Sequence, residues 1–393
     1  MIPLMKNAFL HEEEPKKALS EFIMQAKRLS MGEKCKEFEE AFAKKQHAKH
    51  AILFNSGGSA NLAMLQAAKN LDILKDKDQI AFSVLTWATN VMPIIQLGMR
   101  PVAVDCEPTT LNSMSQHLLE ILKKNKKIKA FFITNALGFA GDLSNIKKIC
   151  EKNNIILFED NCESLGTELP EGKTGSFGLG ASFSFFVAHH MSTIEGGMVV
   201  TDDDDFAEML RIVRANGWDR NLETYQQKKW RDGYDIKSEF HSKYSFYDLG
   251  YNLRPTEITG FLGLYQLALL DAGLKIREEN HNRLEKKLKE NPDFIPLDRS
   301  HIKTLSPFAF VVICKTPELQ EKYKVRFEKA DIEVRPIISG NTQRQPFYKK
   351  YVVEETVYLP GAEFLHHNGF YCGNYPELTE EDLEIISNCL NKD

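Results

Sequence analysis

The chain has 393 residues, of which 42% are hydrophobic and 27% charged, a composition typical of a soluble globular protein. This length allows one large α/β domain with a smaller one beside it, and it is enough to bury a sizeable core. Fifty Lys and Arg residues oppose 55 Asp and Glu, so the net charge of −5 gives no reason to expect nucleic acid or an anionic membrane as a partner.

The N-terminal segment predicts a cytoplasmic protein. Residues 1–15 contain no apolar signal core and become acidic at Glu12–Glu14. No apolar run approaches the roughly 20 residues that span a bilayer. The seven cysteines are scattered and form no CxxC pair, so we expect neither disulfides nor a zinc or iron–sulfur site.

A glycine-rich turn follows the first predicted strand. Helical spacing over Glu33–Lys45 precedes an apolar run at Ala51–Phe54, and a second helix is predicted at Leu62–Ala68. The turn between them, Asn-Ser-Gly-Gly-Ser at 55–59, offers backbone N–H groups at a helix N-terminus, which suits a bound phosphate. An ordinary strand-to-helix turn is the alternative.

Strands alternate with helices through the middle of the chain, which predicts a mostly parallel sheet flanked by helices. One of these helices is predicted at Leu143–Lys152. The predicted strands are Ile80–Val84, Pro101–Val104, Ala130–Thr134, Ile155–Glu159, Ser182–Val187 and Met198–Thr201.

The C-terminal part of the chain predicts a small α+β domain. We divide the chain into a large domain, residues 1–280, and a small one, residues 281–393. An apolar helix is predicted at Pro255–Leu274, a charged helix at Lys275–Glu290, a strand at Phe308–Cys314, a helix at Glu318–Ala330 and a strand at Ile332–Ile338. The segment Glu223–Tyr247 is polar and aromatic without a clear period, which is typical of a functional loop.

Two polar segments follow predicted strands and carry candidate chemistry. Asp160 and Glu163 lie at the carboxyl end of a strand, where α/β sheets bind ligands, and a buried carboxylate there needs a cationic partner such as a pyridinium N–H. A helix-capping role is the alternative for Asp160. His189 and His190 lie in a polar loop between two apolar runs, and on these residues alone they could be metal ligands or buried imidazoles.

Taken together, these motifs resemble the DegT/DnrJ/EryC1/StrS family of nucleotide-sugar aminotransferases, a branch of the aspartate aminotransferase fold (PLP fold type I). Family members carry a segment S-F-x-x-x-K-x-x-x-x-x-E/D-G-G, whose lysine links covalently to pyridoxal 5'-phosphate (PLP). In this chain that position is His189, and no lysine lies between Lys173 and Lys228.

The resemblance also implies roles for further residues. It implies cofactor binding by Gly57, Gly58, Ser59, Trp87, Asp160, Glu163, Ser184 and Asn252. In this pattern the glycine turn and the two serines hold the phosphate, Trp87 stacks on the ring, and Asp160 faces the pyridine nitrogen. Asn252 reaches into the neighbouring subunit's site, which implies a homodimer. The expected substrate contacts are Arg220, Arg254, Arg335 and Asn341.

Two departures from the family pattern are His189 in place of the lysine and Glu163 where the aminotransferases usually have Gln or His. Together with the segments Ala-Asn-Gly-Trp-Asp-Arg-Asn-Leu at 215–222 and Gly-Tyr-Asn-Leu-Arg-Pro at 250–255, they resemble the family's 3-dehydratases of GDP-4-keto-6-deoxy-D-mannose, which serve colitose and O-antigen biosynthesis. The CDP-linked 3-dehydratases share the histidine but carry a cysteine-rich iron–sulfur segment, and no cysteine lies between Cys162 and Cys314 here. The expectation is a lyase with non-covalent PLP or pyridoxamine 5'-phosphate (PMP), glutamate as amino donor and His189 as acid/base. The alternatives are an amino-sugar transaminase of the same family, a non-catalytic binding protein and, more remotely, a metalloprotein.

Overall fold

The structure, a computed structural model, describes residues 1–353 and 356–392. Its α-helices are α1 (Glu13–Gln25), α2 (Glu33–Gln46), α3 (Gly57–Asn70), α4 (Ala88–Gln96), α5 (Ser115–Lys124), α6 (Leu143–Asn153), α7 (Asp204–Arg214), α8 (Thr224–Gly233), α9 (Glu239–Ser242), α10 (Glu257–Lys289), α11 (Pro317–Lys329), α12 (Pro346–Tyr351), α13 (Pro360–Asn368) and α14 (Glu380–Cys389). Its strands are β1 (His50–Phe54), β2 (Gln79–Ser83), β3 (Arg100–Val104), β4 (Ile128–Thr134), β5 (Ile156–Asp160), β6 (Glu168–Leu169), β7 (Gly172–Lys173), β8 (Gly180–Ser184), β9 (Gly197–Thr201), β10 (Ala309–Ile313), β11 (Val334–Pro336) and β12 (Gly369–Gly373).

Seven strands form the central sheet in the order β1-β9-β8-β5-β4-β2-β3. The strands from β8 to β3 pair in parallel, and β9 runs antiparallel to both β1 and β8. Successive residues of a strand face opposite sides, so Phe131 and Phe132 of β4 belong to separate buried clusters. Helices therefore cover both faces, and the predicted fold class is confirmed.

A second sheet of three antiparallel strands, in the order β10-β12-β11, lies in the C-terminal part. It has its own buried cluster, which includes Phe310, Phe327 and Phe370. Helix α10 passes through residue 280, where the sequence analysis divides the chain. The two-domain division at that residue stays a prediction.

The two helices predicted at Pro255–Leu274 and Lys275–Glu290 are wrong as separate elements, because α10 is one helix of 33 residues. The charged composition after residue 275 suggested a break. Buried positions nevertheless continue at helical spacing across it, through Leu270, Gly273 and Arg277. One face of the helix therefore stays covered along its whole length.

Two other predicted elements need correction. The segment Glu223–Tyr247 is not wholly irregular, since α8 and α9 form within it, and Trp230 stacks on Tyr234 and packs at a tilt against Tyr247. The strand predicted at Ser182–Val187 ends at Ser184. From Phe185 onward the chain forms a loop that returns to β9, and this loop carries His189. None of the helices in the described ranges combines the length and apolar character needed to cross a membrane.

Candidate active site

A cavity of about 410 Å³ lies where the carboxyl ends of several central strands meet. The turn after β1, the segment after β2 and the last residues of β4, β5 and β8 all contribute to its wall. The C-terminal part adds Phe308, next to β10, and Tyr371 of β12. The cavity therefore has the position that ligand sites take in open α/β sheets.

The glycine turn forms one end of this cavity. Ser56 caps α3 by accepting a hydrogen bond from the Ser59 N–H at 3.1 Å. The first N–H groups of a helix have no partner inside it, so those of Gly57 and Gly58 can bind an anion. A Cβ on Gly57 would lie 2.6 Å from the Cβ of Ser184. The turn thus needs glycine to bring the Ser184 hydroxyl close to these N–H groups.

Asp160 ends β5 and is buried. Its Oδ1 accepts the Cys162 N–H at 2.9 Å, and its Oδ2 accepts the side-chain amide of Asn61 at 2.9 Å. Both oxygens act as acceptors, as in an ionised carboxylate. Trp87 lies on the rim of the same cavity, with 61% of its side chain exposed. A broad, open aromatic face there can cover a planar ring.

His189 lies in the loop between β8 and β9 and lines the cavity. Its ring centroid is 6.1 Å from that of Phe186 and 5.3 Å from that of Phe308, both in edge-to-face contact. Burial, together with the nearby charge of Arg277, lowers the pKa of His189 to about 4. The ring is therefore neutral near pH 7 and can accept a proton.

His190 faces away from the cavity and has a structural environment. Its Nε2 lies 3.1 Å from the Ser306 carbonyl oxygen, and its ring packs edge-on against Phe308. Burial lowers the pKa of His190 well below its usual range. These contacts agree with the interpretation of His190 as a buried imidazole beside the site.

Glu163 contributes a second titratable group to the cavity wall. Its Oε2 accepts the Leu137 N–H at 2.9 Å. Burial raises the pKa of Glu163 to about 7, and the neighbouring charge of Asp160 acts in the same direction. The carboxyl group can therefore exchange a proton in the neutral pH range. Tyr371 lies near it, and burial raises the pKa of this phenol.

The cavity brings together the predicted catalytic residue, His189, and six of the predicted cofactor residues, namely Gly57, Gly58, Trp87, Asp160, Glu163 and Ser184. Ser59 lies next to them and accepts a hydrogen bond from the Ser56 hydroxyl.

The other predicted site residues do not line this cavity of the single chain. Asn252 accepts a hydrogen bond from Arg254, Arg220 stacks on Trp218, and Arg335 pairs with Glu333. Asn341 is buried and donates to Glu363. Their assignments to cofactor, substrate or the neighbouring subunit stay predictions.

Sequence reasoning missed Phe186, Phe308 and Tyr371. Phe308 and Tyr371 lie more than 100 residues beyond the loop between β8 and β9, residues 185–196, and no local pattern marks either of them. Phe186 is within the predicted strand Ser182–Val187, where a phenylalanine indicates core packing. In the structure its side chain is 42% exposed, because the strand ends before it.

The cavity matches the three parts of PLP. The turn at Gly57 and Gly58 with Ser184 suits a phosphate, Asp160 suits a protonated pyridine nitrogen, and Trp87 suits the face of the ring. No lysine lines the cavity in the part of the chain that the structure describes. A bound PLP would therefore be held without a covalent link to this wall.

Comparison with known proteins gives one consistent result. The chain is similar to the GDP-4-keto-6-deoxy-D-mannose 3-dehydratases of Escherichia coli O55:H7, at 34% identity over 372 residues and 94% of each chain, and of Yersinia pseudotuberculosis, at 31% identity over 378 residues and 94% of each. Among solved structures, the E. coli enzyme with hydrated PLP superposes with a TM-score of 0.90 at 32% identity, covering 100% of this chain and 99% of that one.

A histidine-to-asparagine variant of a GDP-4-keto-6-deoxymannose-3-dehydratase, solved with GDP-perosamine bound, gives the same TM-score of 0.90 at 30% identity, with full coverage of both chains. The model of the DegT/DnrJ/EryC1/StrS aminotransferase family matches residues 10–391. With nearly the whole length matched and the sheet edge built as described, the chain belongs to this aminotransferase family.

Proposed function

We propose that this protein is a 3-dehydratase that removes the C3 hydroxyl of a nucleotide-linked 4-keto-6-deoxy sugar, with PLP and PMP as its non-covalent cofactor forms. The proposed substrate is GDP-4-keto-6-deoxy-D-mannose, the compound in the names of its similar relatives. One observation carries the proposal: within the described ranges, the cavity wall presents the imidazole of His189 and no primary amine.

The cofactor is held by groups that need no covalent bond. The N–H groups of Gly57 and Gly58 and the Ser184 hydroxyl bind its phosphate, and Trp87 covers the ring. Asp160, held by Asn61 and the Cys162 N–H, keeps the pyridine nitrogen protonated. When bound, the PMP form supplies an amine for the sugar ketone and a ring that accepts the electron pair of a departing proton.

His189 moves the proton in this scheme. Its neutral ring takes a proton from C4′, the carbon that carries the cofactor's amino group, and loss of the C3 hydroxyl follows. Phe186 and Phe308 enclose the imidazole and limit the access of water to it. Because no lysine among residues 1–353 and 356–392 lines the cavity, this wall offers no amine to exchange with the sugar's nitrogen, which is lost to water as ammonia.

The complete reaction consumes L-glutamate. Glutamate restores the amine form of the cofactor and leaves as 2-oxoglutarate, so each turnover yields a 4-keto-3,6-dideoxy sugar, ammonia and 2-oxoglutarate. The protein acts as a homodimer with shared active sites, in which Asn252 of each subunit reaches into the site of its neighbour. It works in the cytoplasm, and its seven free thiols fit a reducing compartment.

The test replaces the proton-moving ring. His189→Asn keeps a polar side chain but cannot take a proton near pH 7, so ammonia release should fall by about 100-fold or more, while PLP binding persists. The control is His47→Asn, at an exposed left-handed helix cap with φ +59° that asparagine tolerates. This control should release ammonia at the wild-type rate.

The products decide between the proposed reaction and transamination. Mass spectrometry of the sugar after reaction with glutamate should show loss of the C3 oxygen and no gain of nitrogen. A product that keeps nitrogen and its C3 oxygen would instead identify an amino-sugar transaminase. Wild-type ammonia release by His189→Asn would remove the role assigned to that ring.

A further inference from the structure

A second, much smaller cavity lies behind His189, away from the cofactor cavity. It has about 30 Å³, which is room for about one or two water molecules, since one needs about 10–15 Å³ by this measure. Its wall includes the loop that carries His189 (residues 185–196, called the catalytic loop below), helix α10 and the segment after β12. Residues 5–10 lie over it. Five side chains of this wall each have a shielded polar atom without a protein partner: His189 Nδ1, His190 Nδ1, Gln266 Nε2, Arg277 Nε and Glu377 Oε2.

Such a concentration of unpartnered groups is unusual, because most buried polar atoms in native proteins are hydrogen-bonded. Arg277 and Glu377 carry opposite charges and influence each other, yet they form no direct ion pair within 4.0 Å. A polar space of this size between them suits ordered water. We propose that Arg277 and Glu377 are positioning residues for His189 and act through one or two water molecules held in this cavity.

The proton positions follow from the partners of His190. Its Nε2 faces the Ser306 carbonyl, which can only accept, so the neutral ring carries its proton on Nε2 and Nδ1 is an acceptor. Glu377 Oε2 provides a second acceptor. A single water that donates to both acceptors has only lone pairs left for its other contacts, so we infer that it accepts a hydrogen bond from His189 Nδ1–H. His189 then has its free lone pair on Nε2, the nitrogen that keeps open surface and can face the reacting atoms.

Arg277 also fixes the backbone of the catalytic loop. Its guanidinium, buried in the middle of α10, donates to the carbonyl oxygens of His189 at 3.4 Å and Phe308 at 3.1 Å, and to that of Asn374. Phe308 is the ring that packs against His189. The Arg277 side chain thus holds the main chain of both His189 and Phe308.

The charges around His189 determine how its titration should respond. The charge of Arg277 lowers the pKa of His189, and the carboxylate of Glu377 opposes that charge. Several titratable groups face this region from the elements packed around it. They are Arg277 from α10, His190 and Glu195 from the loop, Asp160 at the end of β5, Cys162 and Glu163 after it, Tyr371 from β12, and Glu377 with His11 and Lys6 beside it. Removal of the cation alone should therefore make His189 easier to protonate.

The inference rests on the proposed function in taking His189 as the group that moves protons, but its main test does not need activity. Nitrogen-15 NMR of histidine-labelled, cofactor-free protein reports which ring nitrogen of His189 carries the proton, with His189→Asn to assign the signal among 11 histidines. We expect an Nδ1–H ring in the wild type at pH 7.5. A ring protonated on Nε2 would overturn the proposal, whatever the enzyme assay gives.

Two variants separate positioning from general stability. Glu377→Gln keeps the shape but offers amide hydrogens to the cavity, so a measurable Nε2–H fraction should appear and kcat should fall about 5–30-fold with KM little changed. Arg277→Met should raise the titration midpoint of His189 by about one pH unit. If Arg277→Met does not fold, Glu377→Gln decides alone.

The matched control is Glu285→Gln, a buried carboxyl on the same helix that pairs with Arg299 and lies outside the small cavity. It should leave the His189 tautomer and kcat unchanged. Glu377→Gln with the wild-type tautomer and the wild-type kcat would overturn the proposal. A wild type that shows the expected tautomer but has no dehydratase activity would contradict the proposed function and leave this inference intact.

Discussion

The imidazole of His189 makes edge-to-face contacts with the rings of Phe186 and Phe308. The buried cation of Arg277 donates a hydrogen bond to the main-chain carbonyl oxygen of His189. Low polarity and the positive charge both disfavour the imidazolium form. A ring kept neutral is a base that needs no prior deprotonation. The same surroundings make it a strong acid once it has taken a proton, which suits its return to a leaving group.

Glu163 gives a prediction about stability and pH. Its pKa is raised from 4.5 to about 7 in the folded protein, mainly by burial. Between these values the folded state holds the proton more tightly than the unfolded state does. The stabilising contribution is therefore complete below pH 4.5 and is lost as pH rises through 7, an effect on the order of 2–3 kcal/mol.

The measurement is urea unfolding of the cofactor-free wild type and of Glu163→Gln at several pH values from 4.5 to 8. As pH rises, the unfolding free energy of the wild type should fall relative to that of Glu163→Gln. Parallel curves over this range would show that the carboxyl group titrates normally.

Most strands of the central sheet could be predicted within one or two residues of their observed bounds. Short apolar runs such as Ala130–Thr134 end at polar residues or turns, and buried parallel strands have this composition. The position of the candidate cofactor residues at the carboxyl ends of these strands was predictable for the same reason. The chain order of the strands fixes which sheet edge they share.

Elements that depend on distant contacts could not be predicted. Helix α10 continues across a change from apolar to charged composition, because its buried face extends to Leu284 and Leu288, which pack in the C-terminal cluster. Strand β12 follows α13 directly and was not recognised, so Tyr371 was missed. The small cavity behind His189 is formed by four separate segments, and no spacing in the sequence indicates it.

The turn at the start of α3 gives a prediction at the scale of an element. Gly57→Ala would put a Cβ 2.6 Å from the Cβ of Ser184. The Ser184 hydroxyl would then have to move away from the backbone N–H groups at the start of α3. We expect the affinity for PLP to fall at least about tenfold, with little loss of helix, because the N–H groups that hold the phosphate would no longer converge. Titration of the cofactor-free protein by PLP absorbance measures this.

Gly233→Ala is the matched control for this substitution. Gly233 ends α8, and a Cβ there meets nothing within 4 Å. Alanine in a helix is favoured over glycine by about 1 kcal/mol, so this variant should bind PLP normally and be no less stable. Equal PLP affinity in both variants would contradict the phosphate-binding role of the turn.

At the scale of the assembled protein, the predicted role of Asn252 in the neighbouring subunit can be tested with hybrid dimers. One subunit carries His189→Asn and the other carries Asn252→Ala, each with its own affinity tag. If Asn252 serves the partner's site, one site of the hybrid has both residues intact and the other has neither. The hybrid should then recover about half of the wild-type rate of ammonia release.

Both parent homodimers serve as controls, since each has a defect in every site. The side chain of Asn252 accepts a hydrogen bond from Arg254 within its own chain, so Arg254→Lys separates an effect on that contact from an effect on the neighbouring site. A hybrid no more active than its parents would mean that Asn252 acts within its own subunit.

Helix α10 also sets a mechanical limit on the molecule. Its 33 residues extend for about 50 Å, from Glu257, which accepts N–H groups at the start of α2, to Leu288 beneath the small sheet. A rotation of the small sheet about residue 280 would have to bend this helix and break the hydrogen bonds that Arg277 donates to main-chain carbonyl oxygens. We therefore expect sugar entry to depend on the motion of surface loops, with the two sheets keeping a fixed spacing throughout turnover.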